Sequence, residues 1–156
     1  MKNNNEAEIL LIEDSDFDAE LTIWALKRIN LADKLVRLKD GEEALNFIFK
    51  REKYANSGKI VNPKMIILDI KMPKVDGIEV LRQLKTNEAT QFIPVVIMTS
   101  SREQQDILNT YKLGVNSYIV KPVDFESFAK AVSDLGLYWL LANQAPPFQE
   151  YEKSEE

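Results

Sequence analysis

The sequence predicts an α/β fold built on a parallel sheet, and three observations lead to it. Strand-like and helix-like stretches alternate five times along the 156 residues, as in a parallel sheet with helices on both faces. Two strand-like stretches, Met65–Leu68 and Ile93–Met98, are apolar throughout, as expected of strands buried on both sides. Finally, strands end at polar residues, which parallel geometry delivers to a single edge, where open α/β sheets bind ligands.

In chain order, Ala7–Ile12 reads as the first strand, stopped by Glu13-Asp14-Ser15-Asp16. The helix after it places Phe17, Leu21, Trp24 and Ala25 on one stripe, with Ser15 or Asp16 as cap. Lys34–Lys39 alternates like a strand nearer a sheet edge, and Asp40-Gly41 opens a helix carrying Ala44, Leu45 and Ile48. Arg51–Pro63 is polar and punctuated by Asn-Ser-Gly and Asn-Pro, a surface loop. Met65–Leu68 runs straight into Asp69. Pro73 then stops the strand, and Asp76-Gly77 leads into a helix faced by Gly77, Val80, Leu81 and Leu84. After Ile93–Met98 comes Thr99-Ser100-Ser101, then a sparsely apolar helix near Glu103–Leu113 ending at Gly114. Ser117–Val120 is the last strand. Lys121-Pro122 follows, and Asp124 caps a helix with Phe125, Phe128, Ala129 and Val132 inward. Residues 1–6 read as a disordered tail, 7–143 as one domain and 144–156 as a mobile acidic tail.

Composition removes several classes of function. With no cysteine and no histidine, disulfides, thiolate chemistry, the commonest general base and the commonest zinc ligand are excluded. The five glycines are too dispersed for a phosphate-cradling loop. A net charge of −5 argues against a nucleic-acid surface. No apolar run approaches the roughly 20 residues of a membrane span, so no membrane contact is expected and the cytoplasm is the natural location.

The strand ends assemble a site. Glu13 and Asp14, Asp69, Thr99 and Lys121 arrive from four strands at one edge. An ionised carboxylate buried beside an apolar strand costs several kcal/mol unless paired or metal-bound. Three carboxylates in one crevice would also raise at least one pKa unless neutralised. A hard divalent cation held by oxygen ligands, together with Lys121, balances the charge, and Mg²⁺ is the fitting ion. Asp69 then qualifies as a carboxylate nucleophile toward a phosphoryl group, with Mg²⁺, Lys121 and the Thr99 hydroxyl meeting the phosphoryl oxygens.

The ordered set resembles a response-regulator receiver domain over about residues 7–143. Its carriers are Glu13-Asp14, LDIKMPKVDG around Asp69, VVIMTSS with Thr99, and YIVKP with Tyr118, Lys121 and Pro122. The resemblance implies a doubly wound, flavodoxin-like sheet in the order 2-1-3-4-5. It implies that Asp69 accepts a phosphoryl group from a sensor histidine kinase and that the chain is a switch rather than an enzyme acting on other molecules. Mg²⁺ would be held by Asp14, Asp69 and the backbone carbonyl of Lys71, with Glu13 helping through water. Thr99 and Tyr118 resemble the family's switch pair, and the Lys121-Pro122 bond is typically cis in such proteins. Lys71 and Ser101 would flank the path of a hydrolytic water. The whole chain is most similar to the small regulators paired with bacterial phytochrome-type kinases. The stretch Leu135–Leu141 is apolar nearly all round, which suggests a homodimer contact around Leu135, Tyr138 and Trp139. Two alternatives stand beside this reading: a Mg²⁺-dependent phosphohydrolase with Asp69 as nucleophile, and a pseudo-receiver that only binds partners. Lys71, where that hydrolase class carries a second acid, counts against the first. The complete residue set counts against the second.

Overall fold

The structure, a computed structural model, describes residues 7–56 and 62–147. Five strands, β1 (Ile9–Ile12), β2 (Leu35–Leu38), β3 (Met65–Leu68), β4 (Val95–Thr99) and β5 (Ser117–Val120), alternate with five helices. These are α1 (Asp16–Lys27), α2 (Gly41–Phe49), α3 (Gly77–Thr86), α4 (Gln104–Lys112) and α5 (Phe125–Gly136). The sheet is wholly parallel in the order β2-β1-β3-β4-β5.

Side chains alternate across the sheet with the period of a strand. Ile9, Leu11, Met65, Ile67, Val96 and Met98 meet α1 and α5, while Leu10, Ile12, Ile66, Leu68, Val95 and Ile97 meet α2 and α3. Both sets are almost fully buried. This explains why β3 and β4 read as unbroken apolar runs.

Four helix starts are capped as their sequences imply. Ser15 Oγ accepts from the Asp18 amide at 3.2 Å, and Asp40 from Glu43 at 2.8 Å. Asp76 accepts from Glu79 at 2.9 Å, and Asp124 from Ser127 at 2.8 Å. Helix α4 has no side-chain cap, and its buried positions are polar, Asp106 and Thr110. Its end turns at Gly114, with φ +95°, a conformation in which glycine pays no Cβ penalty.

The sequence expectation fails at three places. Phe17 and Trp24 are 69% and 45% exposed, because α1 buries Ala19, Thr22, Ala25 and Leu26 instead. Two stripes overlap on this helix, and the one with small residues is the one that fits closely against α5. Gly136 of α5 faces Leu26 so tightly that a Cβ there would lie 3.0 Å from the leucine. Phe125, expected inward, is 38% exposed and packs on Trp24 with ring centroids 4.8 Å apart. Lys121-Pro122 is trans, there being no cis peptide bond among the described residues, in keeping with the preference of X–Pro bonds for trans.

Residues 52–54 of the expected surface loop form a 3₁₀ turn. Its Tyr54 ring meets Phe47 edge-on at 5.2 Å, and its hydroxyl donates to Glu43 at 3.1 Å. After α5 the chain continues as a π-helical turn, Leu137–Ala142. Ala145–Pro147 then reach the amino edge of the sheet, beside Pro63, Phe92 and Pro94. The expected tail at 1–6, and residues 148–156 of the tail expected at 144–156, lie outside the described residues. No helix among the described residues is long and apolar enough to cross a membrane.

Candidate functional site

Strand register builds the site. Ile12 pairs with Leu68, Leu68 with Ile97, and Thr99 with Val120, so the residues that follow emerge side by side at the carboxyl edge. The Lys121 ammonium spends all three of its donors there. It reaches Glu13 Oε1 at 2.8 Å, Asp18 Oδ2 at 2.7 Å and Asp69 Oδ2 at 2.9 Å. The other Asp69 oxygen accepts from the Ile70 amide at 2.7 Å. The loop beyond is pressed against the start of α3: a Cβ on Gly77 would lie 2.0 Å from the Asp69 carbonyl oxygen. Only glycine fits there.

Glu13, Asp14 and Asp69 each bring a carboxylate oxygen within 4.8 Å of the others. Glu13 and Asp69 are buried and Asp14 is exposed. All three donors are hard oxygens, so the residues suit a small divalent cation.

The electrostatics are unequal. Burial, and then the hydrogen bond to Asp69, push Glu13 up to about 9 against the pull of Lys121. Burial also works against the ionised Asp69, but the Glu13 hydrogen bond, Lys121 and Thr99 outweigh it and hold Asp69 below the usual carboxylate range. Burial opposes the charge on Lys121 too, yet its hydrogen bonds to Asp18, Glu13 and Asp69 raise it above an ordinary lysine. At neutral pH the metal-free cluster therefore carries a proton on Glu13, and Asp69 is the ionised partner.

Thr99 is fully buried, and its Oγ1 accepts from the Ser101 amide at 3.4 Å. The Tyr118 ring packs on the α2/α3 side of the core, and its hydroxyl donates to the Ser101 carbonyl at 2.9 Å. Ser101 Oγ in turn donates to Asp106 Oδ2 at 2.6 Å. The Lys71 side chain turns away from the carboxylates, its Nζ lying 3.6 Å from the same Asp106 oxygen.

Of the residues expected from the sequence, the structure brings Glu13, Asp14, Asp69, Thr99 and Lys121 together, and it adds three that were missed. Asp18 lies in the first turn of α1, where an acid reads as an ordinary complement to the helix dipole. Arg37 donates to the Glu13 carbonyl at 3.2 and 3.0 Å and to Asp16 at 2.7 Å, clamping the acidic loop. Its signal was present, as the one charged residue inside the strand LVRL. Asp106 gave none.

Beside Lys121 a cleft of about 390 Å³ opens between α1 and the start of α5, bordered by Phe17, Asp18, Leu21, Val123 and Phe125. Phe17 and Val123 are 69% and 97% exposed, so apolar side chains stand on the rim of the cleft beside the exposed Arg102 and Asp124.

Comparison with known proteins identifies relatives of this fold. The response regulator receiver domain family matches residues 9–133. The probable methanogenesis regulatory protein FilR2 of Methanothrix harundinacea is 38% identical over 138 residues, 88% of this chain and 86% of that protein. Response regulator Rcp1 of Synechocystis sp. is 36% identical over 139 residues, 89% of this chain and 92% of Rcp1. The crystal structure of Rcp1 in its Mn²⁺-bound form superposes with a TM-score of 0.81, covering 89% of this chain and 98% of that one. The phosphorylated cyanobacterial phytochrome response regulator RcpA, 33% identical, also gives 0.81, covering 89% of this chain and 97% of RcpA.

Proposed function

The chain belongs to the response regulator receiver domain family, and from that premise we propose that Asp69 is the phosphoacceptor of a phytochrome-type signalling pathway. Receiver domains of two-component response regulators partner with sensor histidine kinases and are not enzymes in the usual sense; the residue roles that follow are our reading. The observation that carries it is the Lys121 ammonium, which joins Asp69 and Glu13 at 2.9 and 2.8 Å above a carboxylate trio that suits a divalent cation.

In this reading an Asp69 carboxylate oxygen forms the new bond to phosphorus as the bond from phosphorus to the donor's leaving group breaks. The leaving group keeps that bond's electron pair and takes up a proton. Its depressed pKa keeps Asp69 ionised and ready to attack. Lys121 meets a phosphoryl oxygen with its ammonium, and the Thr99 hydroxyl donates to another. Glu13, Asp14, Asp69 and the Lys71 carbonyl would hold Mg²⁺, which when bound offsets negative charge on the phosphoryl oxygens. A receiver of this kind catalyses only its own phosphorylation and dephosphorylation. Lys71 and Ser101, joined through Asp106, flank the approach of a hydrolytic water. Thr99 and Tyr118 form the switch pair, both linked to Ser101.

The apolar side chains of Phe17, Val123 and Phe125 beside Lys121 suit docking of the phosphodonor kinase in the cytoplasm. The phytochrome-type pairing rests on likeness to RcpA, described as a cyanobacterial phytochrome response regulator. A self-contact at the C-terminal helix remains part of the proposal. Leu137, Tyr138 and Leu141 are 42%, 53% and 68% exposed, while Leu135 and Trp139 pack partly onto the α1/α5 core and anchor them. The hydrolase alternative is disfavoured by Lys71, a cation where that chemistry uses an acid.

Incubation with Mg²⁺ and acetyl phosphate, followed by intact-mass measurement, tests the central claim. A phosphoryl adduct on the wild type that is lost in Asp69→Asn is expected. No adduct, or one that survives Asp69→Asn, overturns it.

A further inference from the structure

Lys121 is held by one more carboxylate than the acceptor and metal cluster require. The shortest of its three contacts, 2.7 Å, goes to Asp18 rather than to Glu13 or Asp69. Asp18 belongs to the first turn of α1, not to a strand end, and stands outside the trio that could share a cation. Its backbone is fixed on both sides. The amide donates to Ser15 Oγ at 3.2 Å, and the carbonyl accepts from the Thr22 hydroxyl at 2.9 Å. The side chain is 28% exposed and lines the cleft by which a phosphodonor would approach Lys121.

A cation held by Glu13, Asp14 and Asp69 would compete with Lys121 for the Glu13 and Asp69 carboxylates. Asp18 is then the carboxylate left to the ammonium. We propose that Asp18 is a positioning residue, which pins Lys121 between α1 and the acceptor so that a free N–H faces the incoming phosphoryl oxygen. This inference rests on the acceptor reading above. Lysine is a compact charge on a flexible four-carbon stem, and an immobilised stem has given up rotamer freedom. An acid on a capped helical turn holds that stem in place while the other two contacts change hands. Without it the ammonium is free to swing into the cleft and away from the phosphoryl group.

The test is a double-mutant cycle on the full chain in saturating Mg²⁺, with beryllofluoride binding followed by ¹⁹F NMR and phosphorylation by acetyl phosphate followed by intact mass. Asp18→Ala is expected to weaken beryllofluoride binding by about five- to thirtyfold while leaving Mg²⁺ affinity within about twofold. Asp18→Asn, which keeps an acceptor but not the charge, should fall between. On a Lys121→Gln background the Asp18→Ala effect should shrink below about twofold, because Asp18 acts only through Lys121. An unchanged affinity in Asp18→Ala overturns the proposal. So does an equal loss on both backgrounds, the signature of a merely structural role. If the double variant does not fold, Asp18→Asn decides: weakened beryllofluoride with intact Mg²⁺ affinity supports the proposal, and unaltered binding overturns it. A wild type that binds no beryllofluoride removes the acceptor reading itself, whereas a responsive wild type with an indifferent Asp18 removes only this inference.

Discussion

Metal binding at this site should expel a proton, and the proton should come from Glu13. In the metal-free protein burial and the Asp69 hydrogen bond hold Glu13 at about 9. A cation that takes the Glu13 oxygens needs them ionised, so at pH 7 it displaces a proton bound about two pH units above the solution. Each unit is worth about 1.4 kcal/mol, so the penalty at pH 7 is on the order of 3 kcal/mol, or roughly a hundredfold in apparent affinity. Affinity for Mg²⁺ should therefore climb close to tenfold per pH unit from 7 and level off near 9. The same shift, upward from the model-compound value of 4.5 to about 9, has a consequence for metal-free stability. The folded state binds the extra proton between those values, so stability from this group is full below about 4.5 and declines as pH rises toward 9. Isothermal titration of Mg²⁺ in two buffers of different ionisation enthalpy measures the release directly. Close to one proton per metal is expected at pH 7, with Glu13→Gln flattening the dependence to less than about threefold. A wild-type affinity that changes less than about threefold between pH 7 and 9, or a slope that persists in Glu13→Gln, would refute the reasoning.

Three further outcomes follow from other parts of the fold. Lys85 donates to the carbonyls of Gln91 and Ile93 at 3.2 and 3.0 Å, and burial lowers it from 10.5 to about 8. The unfolded chain thus holds this proton longer, and stability should rise by about 3 kcal/mol between pH 8 and 10.5; urea midpoints should lose that rise in Lys85→Met. Gly77→Ala forces a Cβ to within 2.0 Å of the Asp69 carbonyl oxygen. It should cost about 2–3 kcal/mol or more in chemical denaturation and distort the acceptor loop, and a neutral result would show that the loop can yield. Leu141→Glu, at a side chain 68% exposed, should shift sedimentation velocity from dimer toward monomer without lowering the melting temperature. An unchanged distribution, or a wild type that is already monomeric, would overturn the proposed self-contact.

Much of the site was legible because a parallel sheet turns sequence order into spatial coincidence. Asp69, Thr99 and Lys121 each follow an apolar strand, so their meeting needs only the strand ends to be right. Asp18 and Asp106 were not legible, since a helical acid carries no mark of which way it faces until neighbouring helices are placed. Phe17 and Trp24 misled for a related reason. Periodicity finds an apolar stripe on α1, but Leu26 against Gly136 decides which stripe is buried, and that contact spans the chain. Arg37 was readable and passed over. The strand LVRL leaves its charge nowhere to go but the rim of the sheet, where it holds the Glu13 carbonyl at 3.0 Å.

The return of Ala145–Pro147 to the amino edge of the sheet has a practical consequence. Residue 7 enters β1 from that same edge, so both described ends lie on the side away from Asp69. A sensor surface joined at Ala7 or Pro147 would leave the acidic crevice facing outward. Labels placed there could report encounter with a donor without standing in its way.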